Sequence, residues 1–195
     1  MSSVAATAAA PRRPRQPWLL FFGKAALVLG PLYLAGHFAA ERYAIGIDPQ
    51  AEVSVLTADG KAPRLMLIDK QDHDFQRGDI VSLRLNQRAL DLWQRTGFEL
   101  RADGLNKRVA GVAGDHVVVT AQGVFVNGVQ QASGLALAYT LRANPLDFER
   151  DFVVPEGEFF LLGDVDSSFD SRYWGTANAR VLIGKATVLY AEPRG

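Results

Sequence analysis

Between Trp18 and Ala40 the chain reads WLLFFGKAALVLGPLYLAGHFAA, 23 residues in which Lys24 is the one formal charge. A helix needs about 20 apolar residues to cross a bilayer. In hydrocarbon a single segment satisfies its backbone only as a helix. The run therefore divides the chain into a basic tail, a membrane helix and an exported remainder. Residues 1–40 contain Arg12, Arg13, Arg15 and Lys24 and no acidic residue, which assigns the tail to the cytoplasmic side. Lys24 lies near that basic end, where its stem can snorkel to the headgroups. Gly30-Pro31 predicts a kink that a membrane span tolerates. The rival reading is a cleaved signal peptide. The run is long for one, and Gly36-His-Phe-Ala-Ala40 offers no clean small-x-small site. The expected division is a disordered tail over 1–16, a transmembrane anchor over 17–41 and an exported domain over 42–195.

Lysine plus arginine equals aspartate plus glutamate at 21 each, so nothing in the charge points to a nucleic-acid partner. The absence of cysteine excludes disulfides, thiolate metal sites and a cysteine nucleophile. Beyond Arg42 the pattern is mostly strands. Arg64–Asp69, Asp79–Leu85, Val117–Thr120, Gly123–Val126, Phe159–Leu162, Ala179–Ile183 and Lys185–Tyr190 carry short apolar or alternating runs. Asn127-Gly128 signals a hairpin. Gln87 to Arg95 fits one short helix, and Ser133 to Arg150 reads as an irregular excursion. The expected fold class is mainly β: coiled antiparallel sheets or a partly closed barrel, with one N-terminal transmembrane helix.

The apolar run ending at Leu162 delivers Gly163-Asp-Val-Asp-Ser-Ser-Phe-Asp-Ser-Arg-Tyr-Trp-Gly175 to a strand end. A rigid sheet can hold polar side chains there in fixed geometry. Asp170 and Arg172 can pair. The same residues also fit an Asx/Ser-rich turn closed by a structural ion pair. Upstream lie Gln76-Arg-Gly-Asp-Ile-Val81, Lys107-Arg-Val-Ala-Gly-Val-Ala-Gly-Asp115 and Val124-Phe-Val-Asn-Gly128. His37, His73 and His116 are poorly placed as a serine's base. A lysine can replace histidine if burial keeps its amine neutral, and Lys107 beside Val109-Ala-Gly-Val112 is the candidate. Asp164, Asp166 and Asp170 lack the glycine and terminal glutamate of an EF-hand, so no metal site and no cofactor are expected.

In that order the boxes resemble the type I signal peptidases, Ser/Lys proteases of the peptidase S26 type, over roughly Ile47 to Tyr190. The compact size and Ile45-Gly-Ile-Asp-Pro-Gln50 after the anchor look more like the conjugative-transfer branch, TraF/TrhF-type. The resemblance implies a serine endopeptidase that cleaves leader peptides, with precursor proteins, the lipid bilayer and conjugative transfer machinery as partners. It implies a single-pass protein of a bacterial inner membrane, with its catalytic domain in the periplasm. Lys107 takes the place of the family's general base. Ser54 takes that of the nucleophile, although the family's Ser-Met-x-Pro segment is missing and Thr57 is a fallback hydroxyl. Ser168 corresponds to the serine that orients the lysine, and Asp170 with Arg172 to a structural ion pair. Glu52 stands where many members carry an oxyanion-stabilising serine. That departure, with the missing proline, raises the alternative of a catalytically impaired component of a conjugation or secretion apparatus. A self-cleaving repressor-type regulator is disfavoured by the membrane run. Hydrolysis of the product or its transfer to an internal amine stay open alike.

Overall fold

Alternating and β-branched residues build most of this chain into antiparallel strands, seen in a computed structural model that describes residues 17–47, 55–97 and 104–193. The expected tail over 1–16 and Ser54 lie outside the described residues. Two units are distinguished, 1–40 and 41–195. In the first, α1 (Pro17–Arg42) runs continuously through Pro31. Its Phe21–Arg42 portion is long and apolar enough to cross a membrane by length and composition. Phe22, Leu27 and Leu32 on it are exposed.

The second unit begins with β1 (Tyr43–Ile47) and β2 (Ala62–Asp69). There follow β3 (Ile80–Leu83), α2 (Gln87–Gln94), β4 (Leu105–Gly111), β5 (His116–Val119), β6 (Gly123–Val126) and β7 (Val129–Ser133). The chain closes with β8 (Arg150–Val153), β9 (Glu158–Leu162), α3 (Ser171–Trp174), β10 (Ala177–Asn178) and β11 (Leu182–Glu192). One sheet has the order β1-β2-β11-β3-β4-β9-β10 and the other β7-β6-β5-β8, with every pairing among the described residues antiparallel. The larger sheet is open, with β1 and β10 as its edges, and does not close into a barrel. One contiguous core joins Val81, Leu83, Val109 and Leu161 of that sheet to Val117, Val119, Val124 and Val126 of the other. Asn127 and Gly128 take positive φ of 50° and 78°, the backbone a tight β6–β7 hairpin demands.

Three local readings change. Only Leu182-Ile183 of the Ala179–Ile183 run is strand: Ala179–Val181 forms a 3-10 turn capped by the Asn178 side chain, which accepts from Arg180 N–H. The strand starts at Leu182 and runs through the region expected to begin at Lys185, with bulges in its pairing to β2 and β3. The excursion after Ser133 is partly core, because Leu135, Ala138, Leu141 and Phe148 are buried. Its Pro145–Phe148 stretch is a 3-10 turn capped by Asn144. Helix α2 is capped by the Asn86 side chain, which accepts from Ala89 N–H at 2.8 Å.

Candidate active site

Strand β4 alternates its side chains between two environments, and Lys107 falls on the buried side with Val109 and Gly111. Lys107 is 0% exposed. Its Nζ lies 2.9 Å from Ser168 Oγ. Burial strips the ammonium of water and lowers its pKa from 10.5 to about 8. The carboxylates of Asp170 and Asp164 pull the other way, and the Arg172 cation adds to the lowering. Near neutral pH an amine of this kind is deprotonated in a fraction on the order of one tenth, against under a thousandth for an exposed lysine.

Ser168 is held by its neighbours in the turn. Asp170 caps the short helix α3, its Oδ1 accepting from Arg172 N–H at 3.1 Å. The Arg172 guanidinium grips the same carboxylate in a fork, both contacts at 2.8 Å. Gly163 N–H donates to the other carboxylate oxygen at 2.9 Å. Both charged side chains are fully buried. Burial works against the Arg172 cation, and the hydrogen bonds and charge of Asp170 more than offset it. Arg172 also donates to the carbonyls of Val165 at 3.1 Å, Ser168 at 3.3 Å and Gly134 at 3.2 Å. One guanidinium thus fixes both the turn that carries Ser168 and the segment beyond β7. Gly134 itself lies against the Ala121 backbone, where a Cβ would come within 1.8 Å of the carbonyl oxygen. Trp93 of α2 packs on Phe169 at 5.3 Å between ring centroids, and Phe169 stacks on Tyr173 at 6.2 Å, bracing the turn from below.

A second ion pair escaped the sequence reading. Arg108 grips Asp164 through Nε to Oδ1 at 3.0 Å and Nη2 to Oδ2 at 2.6 Å. The same two side chains hold the backbone of Leu56. Its N–H donates to Asp164 at 2.7 Å and its carbonyl accepts from Arg108 at 2.8 Å. Leu56 is two residues after Ser54, and Val55 between them is buried. The available signal was Arg108 directly after Lys107 and Asp164 directly after the strand-end Gly163. Neither indicates its partner without the fold.

The other candidates separate. The Thr57 hydroxyl donates to Asp59 at 2.5 Å and accepts from Lys61 N–H at 2.9 Å, so it closes a local turn. His116 sits half exposed against Asp151. Asp164, Asp166 and Asp170 diverge to Arg108, Ser133 and Arg172 respectively. Among the described residues no cluster of three or more His, Cys, Asp or Glu is placed to hold a metal.

The sequence pattern of the signal peptidases, peptidase S26, matches residues 22–191. The chain belongs to the signal peptidase S26 family. It is similar to a probable signal peptidase I-2 of Synechocystis sp., 30% identical over 158 residues, covering 75% of this chain and 66% of that one. Signal peptidase IB of Staphylococcus aureus is 24% identical over 188 residues, covering 87% and 86%. A probable chloroplastic thylakoidal processing peptidase 2 of Arabidopsis thaliana is 36% identical over 94 residues, 47% of this chain. The match spans only 24% of that plant protein and just under two thirds of the cyanobacterial one. A crystal structure of a signal peptidase I from Enterococcus faecalis is similar over 59% of this chain and 96% of that chain, at 27% identity and a TM-score of 0.34.

Proposed function

We infer that this family member is a membrane-anchored serine endopeptidase that removes leader peptides from exported precursors by a Ser54/Lys107 dyad. The observation that carries the reading is the completely buried Lys107 amine with a pKa of about 8, held 2.9 Å from Ser168 Oγ. A buried lysine without a function is costly, and sites that shift a pKa by burial are where bases are made. The anchoring of Leu56 on Arg108, the residue next to Lys107, supports Ser54 as the hydroxyl that Lys107 serves. In this mechanism the neutral Nζ takes the Ser54 hydroxyl proton as Oγ bonds to the scissile carbonyl carbon. The C–N bond then breaks, and the lysine ammonium gives its proton to the leaving amine. Water attacks the acyl-enzyme carbonyl and loses a proton to Nζ; the ester C–O bond then breaks, and Nζ returns that proton to Ser54 Oγ. Ser168 orients the amine, and the Asp170–Arg172 pair holds Ser168.

The anchor over 17–41 keeps the domain 42–195 on the outer side of the membrane with the tail over 1–16 inside. Tethering concentrates enzyme and membrane-held precursors in one layer. The segment Ile45–Gln50 supports the conjugative-transfer branch, with a pilin-type precursor as substrate and a periplasmic site. The test is precursor processing by the full-length protein in vesicles. Lys107→Met and Ser54→Ala each abolish processing, and full processing by either variant overturns the dyad. Glu52, two residues before Ser54, favours a second reading, a catalytically impaired component of the transfer apparatus. An acyl adduct on Ser54 detected by mass spectrometry after an active-site-directed inhibitor excludes it.

A further inference from the structure

Beyond β7 the chain leaves the sheets and walls a cavity of about 440 Å³, within the size range of ligand sites. None of Lys107, Ser168, Asp170 and Arg172 lines it. Ser133 and Gly134 enter it from the end of β7, and Asp166 from the turn after β9. Asp166 is the one charged residue in the lining. Its Oδ1 accepts from the Ser133 hydroxyl, which fixes the direction of the carboxylate. Its Oδ2 has no hydrogen-bond or ion-pair partner among the described residues. Arg172 is within electrostatic reach, but its fork is closed on Asp170. A second carboxylate stands beside the cavity. Ala121, another lining residue, donates its N–H to Glu149 Oε1 at 2.9 Å.

Tyr139 also lines the cavity, is 79% exposed and packs on no other ring among the described residues. The face of such a ring attracts a cation. Leu135, Ala136 and Pro145 supply apolar wall. A carboxylate with a free oxygen, an unpacked aromatic ring and a short apolar lining together match a cationic head on an aliphatic stem. An anionic or wholly apolar guest would take water from Asp166 and give it no partner in return. We propose that this cavity binds a lysine or arginine side chain of a polypeptide, its cation between Asp166 and Tyr139 and its stem on Leu135, Ala136 and Pro145. The site borders the turn that carries Ser168. Asp166 lies two residues before Ser168, and Arg172 holds the carbonyls of Gly134 at 3.2 Å and Ser168 at 3.3 Å. A polypeptide docked here is thereby fastened to the frame of that turn. The site stands apart from the protease reading, because its occupancy requires no cleavage.

The experiment uses the full-length protein in an uncharged detergent and two end-blocked alanine pentapeptides. One carries a central lysine and the other a central norleucine. Saturation-transfer NMR titrations read their binding. The lysine peptide saturates in the millimolar range and the norleucine peptide does not. Asp166→Asn keeps the shape and the acceptor for Ser133 but removes the charge, and it raises Kd for the lysine peptide about threefold. Tyr139→Ala, at an exposed side chain, raises it about twofold to threefold. Equal binding of the two peptides, or lysine-peptide binding that neither substitution weakens, overturns the site. Failure of the lysine peptide to saturate the wild type at tens of millimolar also overturns it. Each of these failures leaves the protease reading standing, because that reading is decided by precursor processing in the Lys107 and Ser54 variants.

Discussion

Lys107 is at once the least comfortable side chain in the core and the one on which the proposed chemistry turns. Its folded pKa, about 8, lies below the unfolded value near 10.5. The unfolded chain therefore binds more protons between those two values, and stability rises as pH rises through that window. At neutral pH the buried ammonium opposes folding, so Lys107→Met is expected to raise the unfolding midpoint while abolishing cleavage. Thermal unfolding at pH 7 with a parallel processing assay checks both. Activity follows the same group: kcat/KM should climb as pH rises through about 8 and then level off. A bell centred on neutral pH would speak against lysine as base. Asp164→Asn keeps the shape of its site but weakens the grip of Arg108 on Leu56. It should lower kcat at least tenfold with little change in KM. Slowed acylation of Ser54 by an inhibitor, measured alongside, separates this from a loss of fold.

Elements decide how firmly that chemistry is held. Phe148 and Phe169 contact the Tyr173 ring, and the Tyr173 hydroxyl accepts from Leu137 N–H at 2.8 Å. Tyr173→Phe strands a half-buried N–H and should cost about 1–2 kcal/mol in urea unfolding. Because α3 also carries Arg172, the variant is expected to lose activity earlier than secondary structure on warming. At this scale much was legible. The alternation in Asp79–Leu85, the Asn127-Gly128 turn and the α2 stretch all became elements close to their expected bounds. The misreadings have local physical causes. Ala179-Arg-Val181 is apolar enough for a strand, yet the Asn178 side chain satisfies Arg180 N–H at 3.0 Å and turns the backbone. The excursion lacks any period, so its Leu135, Leu141 and Phe148 could not be recognised as core until α3 lay against them.

Over the whole molecule, one carboxylate ties the two sheets together. Asp115, in the turn between β4 and β5, accepts from Arg77 of the β2–β3 loop, from Val112 N–H at 2.8 Å and from Asn127 Nδ2 of the β6–β7 turn at 2.8 Å. The Arg77 hydrogen bonds lead in lowering its pKa from 3.8 to about 2. An acid depressed in the folded state stabilises above its unfolded pKa, and that contribution disappears as pH falls through the folded value. Arg77 is about half exposed, so solvent screening reduces the contribution. Asp115→Asn should therefore lower stability at pH 6, and the gap to the wild type should close between about pH 4 and pH 2. Unfolding midpoints across that range decide it; a gap that persists at pH 2 contradicts the clamp.

What could be read from the chain alone was whatever is written locally. An unbroken apolar run announces a helix able to span a bilayer. Period-two alternation announces strands, and ordered boxes announce a family. Those signals depend on neighbours a few residues apart, where covalent geometry fixes which side chains share a face. Convergence across long separations was invisible. Leu56, Arg108 and Asp164 are 52 and 56 residues apart along the chain, and only strand pairing brings them into one cluster. Lys107 and Ser168, 61 residues apart, meet for the same reason. The character of the amine is likewise tertiary, because burial in the packed sheet removes water from around an ordinary lysine and lowers its pKa.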